Sequence, residues 1–369
     1  MITLREPSIR AVPADLRSLF PVLERVAYLN TGSVGPVPTL AAEAARSELE
    51  DALRNGRGGK AHFDRVIEMG DRLRARVGAL MGALPGEIAL TGATTDGVNA
   101  VLAGLDLRPG DELLTSDEEH PGLLAPLGSA RERRGVRVRV APFAELAGAV
   151  TAKTRLVACS HVGWQTGRVI DAEALSATGA PVLLDGAQGL GAVPVDVGAL
   201  GCDYYAASGQ KWLCGPIGSG YLYVRSERIA ELAPAAPSYQ SLSEPLRALD
   251  LPLREGAARF DGGFPPSHHL AWALASLDVL GDDGGVQAKA ITGAQRLAGL
   301  LTGRGLTVAP RGDSTLVSWE TPDPISESER LLEAGYLVRD LPGTSYVRAS
   351  VGAWTSEEEM AGLAAEAAA

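Results

Sequence analysis

Cysteine is scarce in this chain: three residues in 369, Cys159, Cys202 and Cys214. An odd, widely spaced set builds no paired disulfide framework, and no Cys-x-x-Cys spacing offers a metal site, so no metal is expected. Cys159 and Cys202 fall in or beside apolar runs, where a reduced cysteine is a small packing residue. Long apolar runs are missing too. No stretch approaches the roughly 18 apolar residues of a membrane span. Arg5, Glu6, Arg10, Asp15 and Arg17 break up the N-terminal region where a secretory leader needs its apolar centre. The expectation is a cytoplasmic protein that does not contact membrane. Basic charge is in deficit, with 34 Lys and Arg against 45 Asp and Glu, a formal charge of −11. That balance argues against a broad nucleic-acid surface. Repeats and low-complexity linkers are absent.

What is present suits a soluble globular chain: 46% apolar and 21% charged residues. The length allows two packed domains, or a large one with a smaller satellite. Short apolar runs at 87–90, 112–116, 137–140, 156–160, 181–185, 202–208 and 220–224 predict strands. Amphipathic segments at 95–105, 123–135 and 171–178 predict helices between them. Such alternation predicts an α/β sheet covered by helices on both faces. The 220–224 run follows its predecessor after only a loop, so it is expected to pair antiparallel in an otherwise parallel sheet. After about residue 265 the rhythm changes to helices at 268–280 and 288–303, strands at 306–309, 314–320 and 346–351, and a last helix capped by Ser356. The expected division is an N-terminal segment 1–25 packing near the small domain, a large domain 26–265, and a smaller α+β domain 266–369.

The most informative segment reads Val182-Leu-Leu-Asp185-Gly-Ala-Gln188, followed 211 − 185 = 26 residues later by Lys211 in Ser208-Gly-Gln210-Lys211-Trp212. An Asp at the C-terminal end of a buried strand stands where α/β sheets bind ligands. A buried carboxylate needs a cation or hydrogen-bond donors. The protonated pyridine nitrogen of pyridoxal 5′-phosphate (PLP) would be both, and Lys211 at the next strand end could reach its aldehyde carbon. Taken singly, Asp185 would be a helix cap and Lys211 a surface lysine; their pairing at successive strand ends argues otherwise. Thr94 and Thr95, in Thr91-Gly-Ala-Thr-Thr-Asp96, open a helix whose free N–H groups suit a phosphate. Glu119-His120-Pro-Gly follows the 112–116 strand, where a neutral imidazole could lie on a pyridine ring.

These blocks, collinear over nearly the whole chain, resemble the class V aminotransferase superfamily of PLP fold type I. That group includes cysteine desulfurases, C–S lyases and isopenicillin-N-epimerase-like proteins. The resemblance also rests on Tyr28-Leu-Asn-Thr-Gly32, Ser160-His-Val-Gly-Trp164-Gln-Thr-Gly167, Phe260-Asp-Gly-Gly-Phe264-Pro and Val347-Arg348-Ala-Ser350. It implies a large domain with a mixed, mostly parallel sheet, a smaller α+β C-terminal domain, PLP, a small amino-acid substrate and a homodimer. It further implies that Thr94, Thr95 and Ser208 hold the phosphate and that His120 stacks on the ring. Asp185 would pair with the ring nitrogen, Gln188 with the phenolic oxygen, and Gln210 would stand where many relatives have His. Lys211 would form the Schiff base and move the proton. Arg348 would take the substrate carboxylate through a two-pronged bond, with Asn30 and Trp164 beside it. From its residue type alone, Arg348 would be a cross-strand ion-pair partner.

Departures from the family pattern bear on the reaction. Cysteine desulfurases carry a persulfide-forming cysteine on a loop shortly before the Arg348 position, and the 337–345 stretch has none. Phe264 replaces a Thr that in relatives reaches the neighbouring subunit's phosphate. Trp164 resembles the C–S lyase and epimerase-like branch. The expectation is a β-eliminating C–S lyase acting on a cysteine derivative. An aminotransferase or epimerase is the alternative, ahead of a persulfide-forming desulfurase or a non-catalytic PLP-binding protein.

Overall fold

The computed structural model describes residues 16–281 and 284–369. Most of the 1–25 segment, with Arg5, Glu6, Arg10 and Asp15, lies outside the described residues. After a two-residue strand β1 (Ala27–Tyr28), the chain forms two long helices, α1 (Thr39–Asn55) and α2 (Lys60–Met81). Seven strands follow: β2 (Ile88–Thr91), β3 (Glu112–Ser116), β4 (Arg137–Ala141), β5 (Thr154–Ser160), β6 (Val182–Asp185), β7 (Tyr204–Ser208) and β8 (Gly220–Val224). They make one sheet in the order β2-β8-β7-β6-β5-β3-β4. The strand β8 runs antiparallel to both neighbours, as its short connection requires, and β3 to β7 are mutually parallel.

Strands of a sheet covered on both faces read as continuous apolar runs, because alternate side chains enter different cores. Val157, Cys159, Leu184, Tyr205 and Ala207 enter the core shared with α2, whereas Leu156, Ala158, Leu183, Tyr204 and Ala206 enter the opposite one. The second core also takes Val98, Val101 and Leu102 from helix α3 (Thr94–Gly104) and Leu123 and Leu127 from helix α4 (Pro121–Arg134). Gly97 lets α3 lie close to the sheet, since a Cβ there would stand 2.9 Å from the Ala206 Cβ. Close approach at Gly97 carries the first turn of α3 to the end of β7.

In the C-terminal part, β9 (Leu316–Glu320), β11 (Arg339–Asp340) and β12 (Tyr346–Ser350) form an antiparallel sheet in the order β11-β12-β9. The short β10 (Tyr336–Leu337) pairs in parallel with β1, which ties the start of the chain to this unit. Ala27 and Leu29 accordingly share a core with Leu297, Trp319, Val347 and Leu363. Arg17 binds both carboxylate oxygens of Glu359 at 2.8 and 2.7 Å, and the Phe20 ring lies 4.8 Å from that of Trp354. Helix Glu357–Glu366 starts at the expected Ser356, whose hydroxyl caps Glu359 N–H. The 306–309 run is not a strand: only Val308 bridges to Trp319, between a positive-φ Gly305 and Pro310. Helix Ser267–Leu280 buries Leu270, Ala273, Leu274 and Leu277 in the core under the large sheet. No helix among the described residues is long and apolar enough to cross a membrane.

A buried ion pair locks the sheet edge. Arg74 of α2 meets the carboxylate of Asp261 at 3.2 and 2.8 Å and donates to the Ile88 carbonyl at 2.5 Å; Leu90 N–H donates to Asp261 at 2.8 Å. Removing one partner strands the other charge in the interior. Asp261→Ala is expected to destabilise the protein by about 3–5 kcal/mol, measured as a lowered denaturant midpoint with an unchanged slope.

Candidate active site

Strand ends of a parallel sheet expose backbone and side chains along one rim. Here that rim gathers Ser116, Ser160, Asp185 and Ser208, at the C-termini of β3, β5, β6 and β7. The first turn of α3 closes one side. Thr94 Oγ1 and Ser208 Oγ are 2.5 Å apart, and Thr94 N–H points at the same Ser208 oxygen at 3.4 Å. Thr95 Oγ1 lies 2.7 Å from the point where a Cβ on Gly122 would sit, which brings it to the first turn of α4. Two hydroxyls and a helix N-terminus thus face one place, the donor set of a phosphate site.

His120 caps α4. Its Nδ1 accepts the Gly122 N–H at 2.9 Å, so the neutral ring carries its proton on Nε2. Burial, with Lys211, Arg339 and Arg348 nearby, pushes its pKa down to about 4. The imidazole meets Trp164 edge-on, centroids 5.0 Å apart. Trp164 is buried, and its carbonyl accepts from Arg348 Nη1 at 2.6 Å.

Asp185 is buried and accepts one backbone bond, from Ala187 N–H at 2.9 Å, so it forms a local turn and caps no helix. Burial pushes its pKa up, against the Ala187 bond and the charge of Lys211. The Lys211 amine makes no hydrogen bond or ion pair among the described residues, while the Lys211 carbonyl accepts from Cys214 N–H at 3.0 Å. Its amine is lowered to about 8, chiefly by burial, with Asp185 opposing and Arg348 and Arg339 adding. Gln188 donates to the Gly32 carbonyl at 2.8 Å and accepts Trp212 Nε1–H at 2.9 Å, which leaves one amide hydrogen for a ligand. Gln210 holds the Gly35 N–H through its backbone carbonyl, while its side-chain oxygen is buried without a partner.

Arg348 is 1% exposed, and no carboxylate pairs with it among the described residues. The cross-strand ion pair common for strand arginines is therefore not made. Its Nε and Nη2 lack partners, as do the nearby hydroxyl of Ser350, the Thr31 hydroxyl and Trp164 Nε1. Burial and Arg339 push its pKa down to about 9. Asn30 accepts from Ser33 Oγ at 2.7 Å, and that hydroxyl accepts from Arg339 Nη1 at 3.1 Å. Arg339 was missed in the sequence. It stands directly opposite Arg348 in the β11–β12 pairing. Leu341-Pro-Gly-Thr-Ser345 is a turn signal between two short runs, and folding the chain about it would have paired the two arginines.

The aminotransferase class V family model matches residues 27–302. The chain belongs to that family. A probable cysteine desulfurase of Pseudomonas aeruginosa is 30% identical over 338 residues, 84% of this chain and 82% of the relative. A probable cysteine desulfurase of Methanothermobacter thermautotrophicus is 33% identical over 60% of this chain, and an isopenicillin N epimerase of Streptomyces clavuligerus is 33% identical over 58%. The chain spans 58% and 57% of the lengths of those two relatives. Among solved structures, the cystine C–S lyase C-DES in complex with its reaction product, cysteine persulfide, superposes with a TM-score of 0.88 at 29% identity, covering 95% of this chain and 99% of that one. A mutant of C-DES with glycine covalently linked to its PLP cofactor gives a TM-score of 0.89, also at 29% identity, covering 95% of this chain and 98% of that one.

The rim of this class V chain fits PLP, the cofactor of that C-DES mutant. The hydroxyl pair and helix start suit the phosphate, the free oxygen of Asp185 suits a protonated ring nitrogen, and the unpartnered Lys211 suits the aldehyde carbon. The buried, partnerless groups around Arg348 suit a carboxylate. Phe264 lies elsewhere, half-exposed, its ring 5.9 Å from Phe63.

Only a neutral amine can attack an aldehyde, and Lys211 is held near pKa 8. Reattachment of PLP to the apoenzyme should therefore speed up as pH rises, with a half-point near 8 and a plateau above it. An unperturbed lysine would still be accelerating at about pH 10. Stopped-flow absorbance over pH 6–10 separates the two.

Proposed function

We propose that this class V enzyme is a C–S lyase acting on a cysteine derivative whose distal end carries a second anionic group. The observation that carries the reading is the pair Arg339–Arg348, with no thiol beside it. Like charges placed opposite one another on paired strands are unfavourable. These two share no acidic partner among the described residues, so the pair is suited to anions brought by a ligand. The buried Arg348 fits the α-carboxylate. The half-buried Arg339, steadied by Ser33, fits a charge farther along the substrate.

Bound PLP supplies an electron sink in conjugation with the substrate Cα. Lys211, its amine pKa lowered to about 8 by burial, takes the Cα proton. Asp185 holds the ring-nitrogen proton, Thr94, Thr95 and Ser208 anchor the phosphate, and neutral His120 covers the ring beside Trp164. Cleavage at Cβ then releases the substrate's own sulfur, and water completes the conversion to keto acid and ammonia.

The names of several relatives favour a second reading, a cysteine desulfurase. Such a reaction needs a protein thiol to take the sulfur. All three cysteines are buried. Cys214, the one nearest Lys211 in sequence, has its thiol pKa raised by burial, and its carbonyl is held by Trp272 and Ser276 at 2.9 Å each.

Four outcomes test the proposal. Borohydride reduction followed by peptide mapping should place the pyridoxyl group on Lys211, and Lys211→Ala should bind no cofactor covalently. Cystine and charged cysteine conjugates should yield keto acid and ammonia without a protein-bound persulfide; a persulfide mapped to Cys214 would restore the desulfurase reading. Arg348→Ala should weaken every substrate by about 2–5 kcal/mol. Arg339→Ala should raise KM roughly tenfold or more for substrates with an anionic tail and leave S-methylcysteine unchanged. Equal losses on both substrate types would remove Arg339 from the substrate site.

A further inference from the structure

Glu119 is a second buried carboxylate at the same rim, 3% exposed. Its oxygens accept from Ser160 N–H at 3.0 and 2.9 Å, from Ser160 Oγ at 2.5 Å and from the Ser116 hydroxyl. All these donors are neutral, and no Lys, Arg or His forms an ion pair with Glu119 among the described residues. Burying a carboxylate without a cation is costly, and shape alone does not call for it. Ser160, the residue that holds Glu119, is paired in register with Asp185 on the adjacent parallel strand. The titratable side chains that influence this corner are Asp185 from β6, Cys159 from β5 and, acting on Asp185, Lys211. Lys211 brings positive charge to Asp185, but it forms no ion pair with Glu119.

We propose that Glu119 is a positioning residue that acts through Asp185: its negative charge raises the proton affinity of the Asp185–cofactor pair and keeps the PLP ring nitrogen protonated. The proposal rests on the reading that Asp185 faces that nitrogen. A proton close to two carboxylates in a poorly screened interior is held more tightly than beside one. Burial first, then Asp185, push Glu119 itself up to about 7, against the bonds from Ser116 and Ser160. It therefore lies near the point where its charge can be lost. A positively charged ligand atom next to Asp185 favours the ionised form.

Nitrogen NMR of ring-labelled PLP in the holoenzyme, followed from pH 6 to 10, reads the ring proton directly and needs no turnover. Glu119→Gln keeps the size and can still accept from Ser160 N–H while donating to the serine hydroxyls. It should lower the ring-nitrogen pKa by about one to two units. Asp185→Asn, run in parallel, should abolish ring protonation. If Asp185→Asn moves the ring signal and Glu119→Gln leaves it within about 0.3 units of wild type, Glu119 is only a structural tie and the proposal fails. If neither variant moves it, the placement of Asp185 is wrong, and the proposal falls with it. Should Glu119→Gln not fold, Ser160→Ala removes one donor from the carboxylate and weakens its charge near neutrality. A shift of the same sign supports the proposal, and an unchanged titration overturns it.

Discussion

The parallel register of β5, β6 and β7 is the constraint on which the site depends. Ser160 pairs with Asp185, and Asp185 with Ala206, so three strands end at nearly one level. Each strand is buried on both faces, and a one-residue slip would send its side chains into the wrong cores. The position of Asp185 is thus set by the packing of Leu183 and Leu184 as much as by its own contacts. The same register brings Ser208 up to Thr94, and the close seat of Gly97 on Ala206 completes the approach.

Against this well-packed frame stands a group of polar atoms that the chain itself leaves unpaired. Arg348 Nε and Nη2, the hydroxyls of Thr31 and Ser350, Trp164 Nε1 and Gln210 Oε1 are all buried without partners. Each costs stability, since its bonds to water are lost and not replaced. Their concentration beside Lys211 and Asp185 gives the cost a direction: the groups are already oriented for ligand atoms and need no rearrangement when those arrive. Gly32 belongs to the same arrangement. A Cβ there would lie 2.7 Å from Ser350 Oγ and 3.1 Å from Arg348 Nη2, so the loop after β1 can approach only as glycine.

How much of this could be read in advance follows the range of the interactions. Buried strands announce themselves as apolar runs, and β3 and β8 fall where those runs predict. Asp185 and Lys211 are legible because each depends on the strand just before it. The helices α1 and α2 are not assigned from sequence; α1 buries only the small Ala41 and Ala45, whereas α2 buries Val66, Met69, Leu73 and Val77. That second spacing is helical and legible. The packing of Ser267–Leu280 under the large sheet is likewise a matter of tertiary contact, with Trp272 and Ser276 reaching the Cys214 carbonyl. Arg339 escapes notice, and Glu119 is read only as the neighbour of His120, for the same reason: the first acquires meaning only opposite Arg348, the second only through Ser160, 160 − 119 = 41 residues later.

The charges of the site also limit what can occupy it. Lys211, Arg348 and Arg339 gather near His120, and Asp185 and Glu119 are bound to the strand ends of the same buried rim. Charges of both signs thus meet at one corner. His120 adds nothing to either side, because burial and those cations keep it neutral. On the placement proposed above, the cofactor's ring nitrogen would lie against Asp185 and its phosphate against Thr94, Thr95 and Ser208. Under the proposed lyase reading, an amino acid with a single carboxylate would neutralise only one of the two arginines that stand opposite one another. A substrate with anionic groups at both ends would meet both, a condition that a disulfide of two cysteines satisfies and cysteine alone does not.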